Sequence, residues 1–140
     1  MVYIDTSVLV ACYCPEPRSS VAEEVLHDSG GAVISRLVEL EFCSAVALKL
    51  RMGEFDRTTA TRVTSFLRRH LEDEFYAVVP IGSQEYEQAC DWIGQFSTVL
   101  RAPDALHLAA AHRNNLLMAT ADQSLARAAA ELGVKHKLIA

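Results

Sequence analysis

The sequence predicts an α/β protein: a three-layer α/β/α fold around a mostly parallel central sheet of about five strands. Three observations carry that expectation. Short runs rich in β-branched and aromatic residues alternate with longer stretches of helical spacing, the pattern of parallel strands joined by crossover helices. The 140 residues are 51% hydrophobic and 22% charged, enough apolar mass for one core and one domain spanning residues 1–140. The longest run free of Asp, Glu, Lys and Arg is ten residues, against the roughly 20 apolar residues that a membrane helix needs, so no membrane span is expected.

The elements follow in order. Val2–Ile4 is the first strand and stops at Asp5. A short helix from Ser7 is broken by Pro15 and Pro17. Ser20 and Glu23 have capping-box spacing for a second helix, which Gly30 and Gly31 end. Ala32–Ser35 is the second strand, and a long helix runs over 36–51 up to Gly53. Asp56 caps a helix over 57–72, Tyr76–Val79 is the third strand, and a helix covers 84–96. Pro103 opens a helix over 103–114, where its missing N–H costs nothing. Leu116–Thr120 is the fourth strand, Asp122 caps a helix that ends at Gly133, and Val134–Ile139 is the fifth strand.

Composition narrows the function classes. Cys12, Cys14, Cys43 and Cys90 lack CxxC spacing, so they read as reduced thiols of a cytoplasmic protein rather than disulfides or a zinc site. The N-terminus has no basic region and too few apolar residues for a secretory signal. The net charge of −5 taken alone argues against nucleic acid, because phosphate binding is mostly electrostatic.

Four acids change that argument. In an open parallel sheet, ligands bind outside the carboxyl ends of the strands. The pattern delivers Asp5 to the end of strand one and Asp122 to a point just past strand four. Asp104 sits in the first turn of the helix opened by Pro103. Glu41 lies about one and a half turns into the helix after strand two, on a face with Leu37, Val38, Ala45 and Leu48. Ordinary structural roles remain open: Asp122 as a cap, Asp104 as a first-turn acid, Asp5 as a turn residue. Acids converging in a partly buried pocket repel one another, and a hard divalent cation relieves them. All-oxygen ligands suit Mg²⁺ or Mn²⁺, which activate water and clamp a phosphodiester. The expected chemistry is metal-assisted phosphodiester hydrolysis, and two such ions would offset most of the acidic balance.

Four motifs resemble one family: Tyr3-Ile-Asp5-Thr6-Ser7; the segment from Ser35 to Ala45 around Glu41; Arg101-Ala-Pro-Asp104-Ala-Leu-His107; and Ala119-Thr120-Ala-Asp122. In this order and over nearly the whole chain, they resemble a PIN-domain ribonuclease, specifically a VapC-type toxin of a type II toxin–antitoxin system. The resemblance implies that Asp5, Glu41, Asp104 and Asp122 hold Mg²⁺ or Mn²⁺ and serve catalysis, with the Thr6 and Thr120 hydroxyls beside them. It implies RNA hydrolysis, a homodimer, and a small cognate antitoxin that blocks the site. His107, inside the third motif, reads as a packed or hydrogen-bonded residue rather than a catalyst.

RNA also requires positive partners. Arg36 and Arg101, close in sequence to the acids, are the candidates to hold phosphate or to neutralise the acids. Arg57, Arg62, Arg68, Arg69 and His70 fall on one helix as a solvated face or a backbone-binding rim. Trp92, Phe96 and Leu100, four apart, read as core or a dimer contact. The rival functions are a PIN nuclease that processes RNA without an antitoxin and a non-catalytic PIN module that binds partners. An aspartyl-phosphate phosphatase is disfavoured, because Ser7 stands where its second acid belongs.

Overall fold

A computed structural model of the chain describes residues 1–28 and 30–139. Its five strands are β1 (Val2–Ile4), β2 (Ala32–Ser35), β3 (Tyr76–Val79), β4 (Leu117–Thr120) and β5 (His136–Leu138). Between them lie α1 (Thr6–Tyr13), α2 (Ser19–Asp28), α3 (Arg36–Arg51), α4 (Arg57–Glu72), α5 (Ser83–Gly94), α6 (Ala102–Arg113) and α7 (Gln123–Glu131). All four strand pairings are parallel, in the order β3-β2-β1-β4-β5. The three-layer α/β fold expected from the alternation is the one observed.

Strand β1 is central because it can be: Val2, Tyr3 and Ile4 are all buried and pair with Ala32–Val33 on one side and Leu117–Ala119 on the other. The edge strands are more polar or exposed, as in His136-Lys137-Leu138 and the exposed Ala77 and Val78. Right-handed crossovers place α1–α4 over one face and α5–α7 over the other. The packing agrees: α1 touches α2 and α3, α3 touches α4, and α5 touches α6. The chain runs leftward from β1 to β2 and rightward from β4 to β5. The topological switch point, where doubly wound sheets open a crevice, therefore lies between the carboxyl ends of β1 and β4.

Local chemistry explains most boundaries. Asp5, Ser35, Asp56 and Asp122 each cap a helix by accepting a backbone N–H. Gly30 and Gly31, at φ 70° and 127°, make the reversal into β2 that a side chain would strain.

Three sequence expectations differ. The Ser20–Glu23 capping box does not form, because α2 starts at Ser19, whose Oγ accepts the Glu16 N–H and donates to the Cys14 carbonyl. A reaching-back glutamate occurs instead at α5, where Glu85 Oε2 accepts the Gly82 N–H at 3.0 Å. Trp92, Phe96 and Leu100 do not share a helix face, because α5 stops at Gly94. Trp92 is buried and Leu100 packs on the core, while Phe96 is 90% exposed at a positive φ of 55°.

Candidate active site

The carboxyl edge at the switch point gathers the acids from four elements. Asp5 follows β1 and is 3% exposed. Its Oδ1 accepts the Ser7 hydroxyl at 2.6 Å and the Val8 N–H at 3.1 Å, and its Oδ2 accepts the Thr120 hydroxyl at 2.5 Å. The second strand end is joined directly: Thr120 Oγ1 also accepts the Asp122 N–H, and Ser7 Oγ accepts the Ala121 N–H. Asp122 Oδ1 accepts the Ser124 and Leu125 N–H groups at the start of α7. The cap reading left open for Asp122 therefore describes one of its two oxygens.

Glu41 comes from α3 and Asp104 from α6, on opposite faces of the sheet. Glu41 Oε1 accepts the Thr6 hydroxyl at 2.8 Å and stands 2.5 Å from His107 Nε2. Asp104 Oδ2 faces Arg101 Nε at 3.4 Å. Arg101 therefore meets one of the acids, as its proximity in sequence suggested. Arg36 does not: its side chain is 82% exposed and pairs with Glu39 at 2.9 Å. His70 turns away from this edge and bonds Tyr13 Oη. A cavity of about 390 Å³ lies there, at the amino ends of β2 and β3, lined by Tyr13, His70, Phe75 and Tyr76. None of the four acids lines it.

Electrostatics ties the acids into one neighbourhood. Burial pushes the Asp5 carboxyl above its ordinary value, against the pull of Ser7, Thr120, Val8 and the His107 ring. Burial also raises Asp104; Arg101 and His107 oppose it, and the charge of Asp122 adds to it. Glu41 goes the other way. Burial raises it, but the hydrogen bonds from His107 and Thr6 and the charge of Arg101 together hold it below the usual range. His107 thus bonds Glu41 directly, and Asp104 senses the charge of Asp122.

Among the described residues, no three His, Cys, Asp or Glu side chains stand close enough to share one ion. The donor chemistry nevertheless fits a hard cation. Among the described residues, Glu41 Oε2, Asp104 Oδ1 and Asp122 Oδ2 have no protein hydrogen-bond partner, while the second oxygen of each is engaged. A carboxylate with one oxygen held by the protein and the other left over is the kind of oxygen donor that Mg²⁺ or Mn²⁺ takes.

A family model described as PIN domain matches residues 2–131. The chain belongs to the PIN domain family. Several solved structures are similar to this PIN domain. One is DNA-bound VapBC from Salmonella typhimurium, at 12% identity and a TM-score of 0.72 over 100% of both chains. Another is Mycobacterium tuberculosis VapC20, a sarcin-ricin loop cleaving toxin, at 16% identity and a TM-score of 0.70, covering 91% of this chain and 95% of that one. A third is FitAcB from Neisseria gonorrhoeae, at 22% identity and a TM-score of 0.67, covering 97% and 96%. At these identities the likeness is one of fold. No curated protein matches this PIN domain.

Sequence reasoning missed Ser7, which bonds Asp5 and the Ala121 N–H and so stitches the ends of β1 and β4 together. Its place two residues after an acid at a strand end was the available signal. It also missed the buried contacts of Tyr3 with Ser35 and with His107, which no local spacing encodes.

Proposed function

We propose that this PIN domain is a Mg²⁺- or Mn²⁺-dependent endoribonuclease that acts in the cytoplasm as the toxin of a toxin–antitoxin pair. The observation that carries the reading is the gathering of Asp5, Glu41, Asp104 and Asp122 around the switch point, with one oxygen on each of three acids left without a protein partner. The family match and the toxin–antitoxin fold neighbours support it. In this reading the four carboxylates hold the metal, and the Thr6 and Thr120 hydroxyls steer Glu41 and Asp5. A divalent ion bound there supplies an activated water and offsets phosphodiester charge. Arg101, moved off Asp104, is the candidate to hold a phosphate, and Arg36, exposed at the start of α3 and paired with Glu39, is the second. A homodimer and a small antitoxin that blocks the site complete the proposal.

The test is cleavage of labelled RNA by purified protein with Mn²⁺, with EDTA, and with Asp104→Asn, beside growth after induced expression. Cleavage by wild type with Mn²⁺ alone is expected, with a loss of about 100-fold or more in Asp104→Asn. RNA left intact under all conditions overturns the nuclease reading. Cleavage without growth arrest overturns the toxin assignment and favours an RNA-processing PIN nuclease. One observation favours a non-catalytic module: every acid already has a protein partner and no three converge on one ion. Calorimetric titration with Mn²⁺ separates the two, because such a module gives no binding heat.

A further inference from the structure

His107 is 2% exposed, yet both ring nitrogens are engaged. Nε2 faces Glu41 Oε1 at 2.5 Å, and Nδ1 faces Tyr3 Oη at 2.8 Å. Tyr3 Oη in turn meets Ser35 Oγ at 2.8 Å, and Tyr3 and Ser35 are both 0% exposed. Four elements, β2, β1, α6 and α3, contribute one link each. Aliphatic side chains would fill this space without the desolvation cost of buried polar groups, so packing alone does not explain the row.

Counting hydrogens gives the row a direction. Ser35 Oγ accepts the Val38 N–H as the cap of α3. If its own hydrogen goes to Tyr3 Oη, the Tyr3 hydrogen goes to His107 Nδ1. That leaves the single ring hydrogen on Nε2, aimed at the carboxylate. Every hydrogen then has an acceptor. In the reverse direction Nδ1–H donates to Tyr3 and Tyr3 donates to Ser35. The fully buried Ser35 hydrogen is then left without an acceptor among the described residues. Burial also keeps Tyr3 protonated, and so able to donate.

We infer that His107 is a positioning residue: Ser35 and Tyr3 orient its ring so that Nε2–H faces Glu41 and fixes it by Oε1, leaving Oε2 for a metal ion. This rests on the metal-nuclease reading for its purpose, though not for its geometry. Thr6 grips the same oxygen from α1, so the two donors together restrict a side chain that would otherwise sample several rotamers.

The test uses the full chain and two readouts that do not require cleavage: imidazole ¹⁵N spectra and calorimetric Mn²⁺ affinity, with thermal unfolding recorded for every variant. Wild-type His107 is expected to show a protonated Nε2 and a bare Nδ1, and Glu41→Gln is expected to shift the Nε2–H signal. Tyr3→Phe removes the hydroxyl but keeps the ring, and is expected to give a tautomer mixture. His107→Leu is expected to weaken Mn²⁺ binding about 10-fold or more, the usual effect of losing an outer-shell partner. His107→Gln, which retains an N–H donor, is expected to recover most of the affinity. His107→Leu is expected to add nothing in a Glu41→Gln background. A protonated Nδ1 in the wild type, a Tyr3→Phe spectrum like wild type, or full Mn²⁺ affinity in His107→Leu overturns the inference. If His107→Leu does not fold, Tyr3→Phe and His107→Gln decide. If wild type binds no Mn²⁺, the nuclease reading fails, and the response of the Nε2–H signal to Glu41→Gln alone decides whether the clamp exists.

Discussion

Asp5 has two separable roles at the residue scale, and its substitutions divide them. Its carboxylate caps α1 and accepts the Ser7 and Thr120 hydroxyls. Asp5→Ala therefore loses a cap, at about 1 kcal/mol, and leaves buried hydroxyls unpaired at a further cost of about 1–3 kcal/mol. Asp5→Asn keeps an oxygen for the Val8 N–H and is expected to unfold near wild type in urea, while both variants lose cleavage. Asp104→Asn removes a half-buried charge that burial disfavours, and its apo stability is expected to equal or exceed wild type. The cysteines give an independent check. Burial pushes Cys12 up from 9.0 to about 12, whereas Cys43 and Cys90 are exposed. Iodoacetamide at pH 8 is expected to label Cys43 and Cys90 first by mass spectrometry. Between pH 9 and about 12 the unfolded thiol of Cys12 releases its proton while the folded one keeps it, so stability falls as pH rises, by at most about 1.4 kcal/mol per unit from this group.

At the scale of elements, helix ends set where the acids sit. Asp122 Oδ1 takes both the Ser124 and Leu125 N–H groups, so Asp122→Ala is expected to cost about 1 kcal/mol by denaturant unfolding, and Asp122→Asn only a few tenths. A fall in cleavage shared by both variants would report the site, and a fall confined to Asp122→Ala would report the cap alone. These local features were largely legible in the sequence. Strands β2 and β3, the bounds of α3 and α4, and the caps at Asp56 and Asp122 follow from short-range patterning. The misplaced features share a cause. The Ser20 box gave way to a Ser19 contact with the chain around Pro15 and Pro17, and Phe96 left its helix face because α5 ends two residues before it. In both, a neighbouring turn outweighed a valid spacing.

For the whole molecule, the sheet order decides where chemistry can occur. Placing β1 between β2 and β4 puts Asp5 beside Asp122 at the switch point and lets α3 and α6 bring Glu41 and Asp104 in from opposite faces. Because each acid has a protein donor, the fold is expected to persist in EDTA. Mn²⁺ at 100 times its Kd is expected to add about 2.7 kcal/mol of stability, visible as a rise of several degrees in Tm. Asp104→Asn is expected to lose that rise, and no Mn²⁺-dependent shift in wild type would contradict metal binding at this edge.

By itself, the sequence determined the α/β class, nearly all the elements, and the local positions of four acids: Asp5 and Asp122 at strand ends, Asp104 in a first helical turn and Glu41 about one and a half turns into α3. Those properties depend on periodicity and caps a few residues apart. Only the tertiary structure decided that Arg101 meets Asp104 while Arg36 takes Glu39, that Ser7 joins two strand ends, and that His107 stands between Tyr3 and Glu41. The Tyr3–His107 and His107–Glu41 contacts span 104 and 66 residues of chain, and Ser7 reaches Ala121 across 114. A buried hydrogen bond of that kind is fixed by the order in which strands pair and by the lack of competing water. Neither leaves a mark in the local pattern of residues.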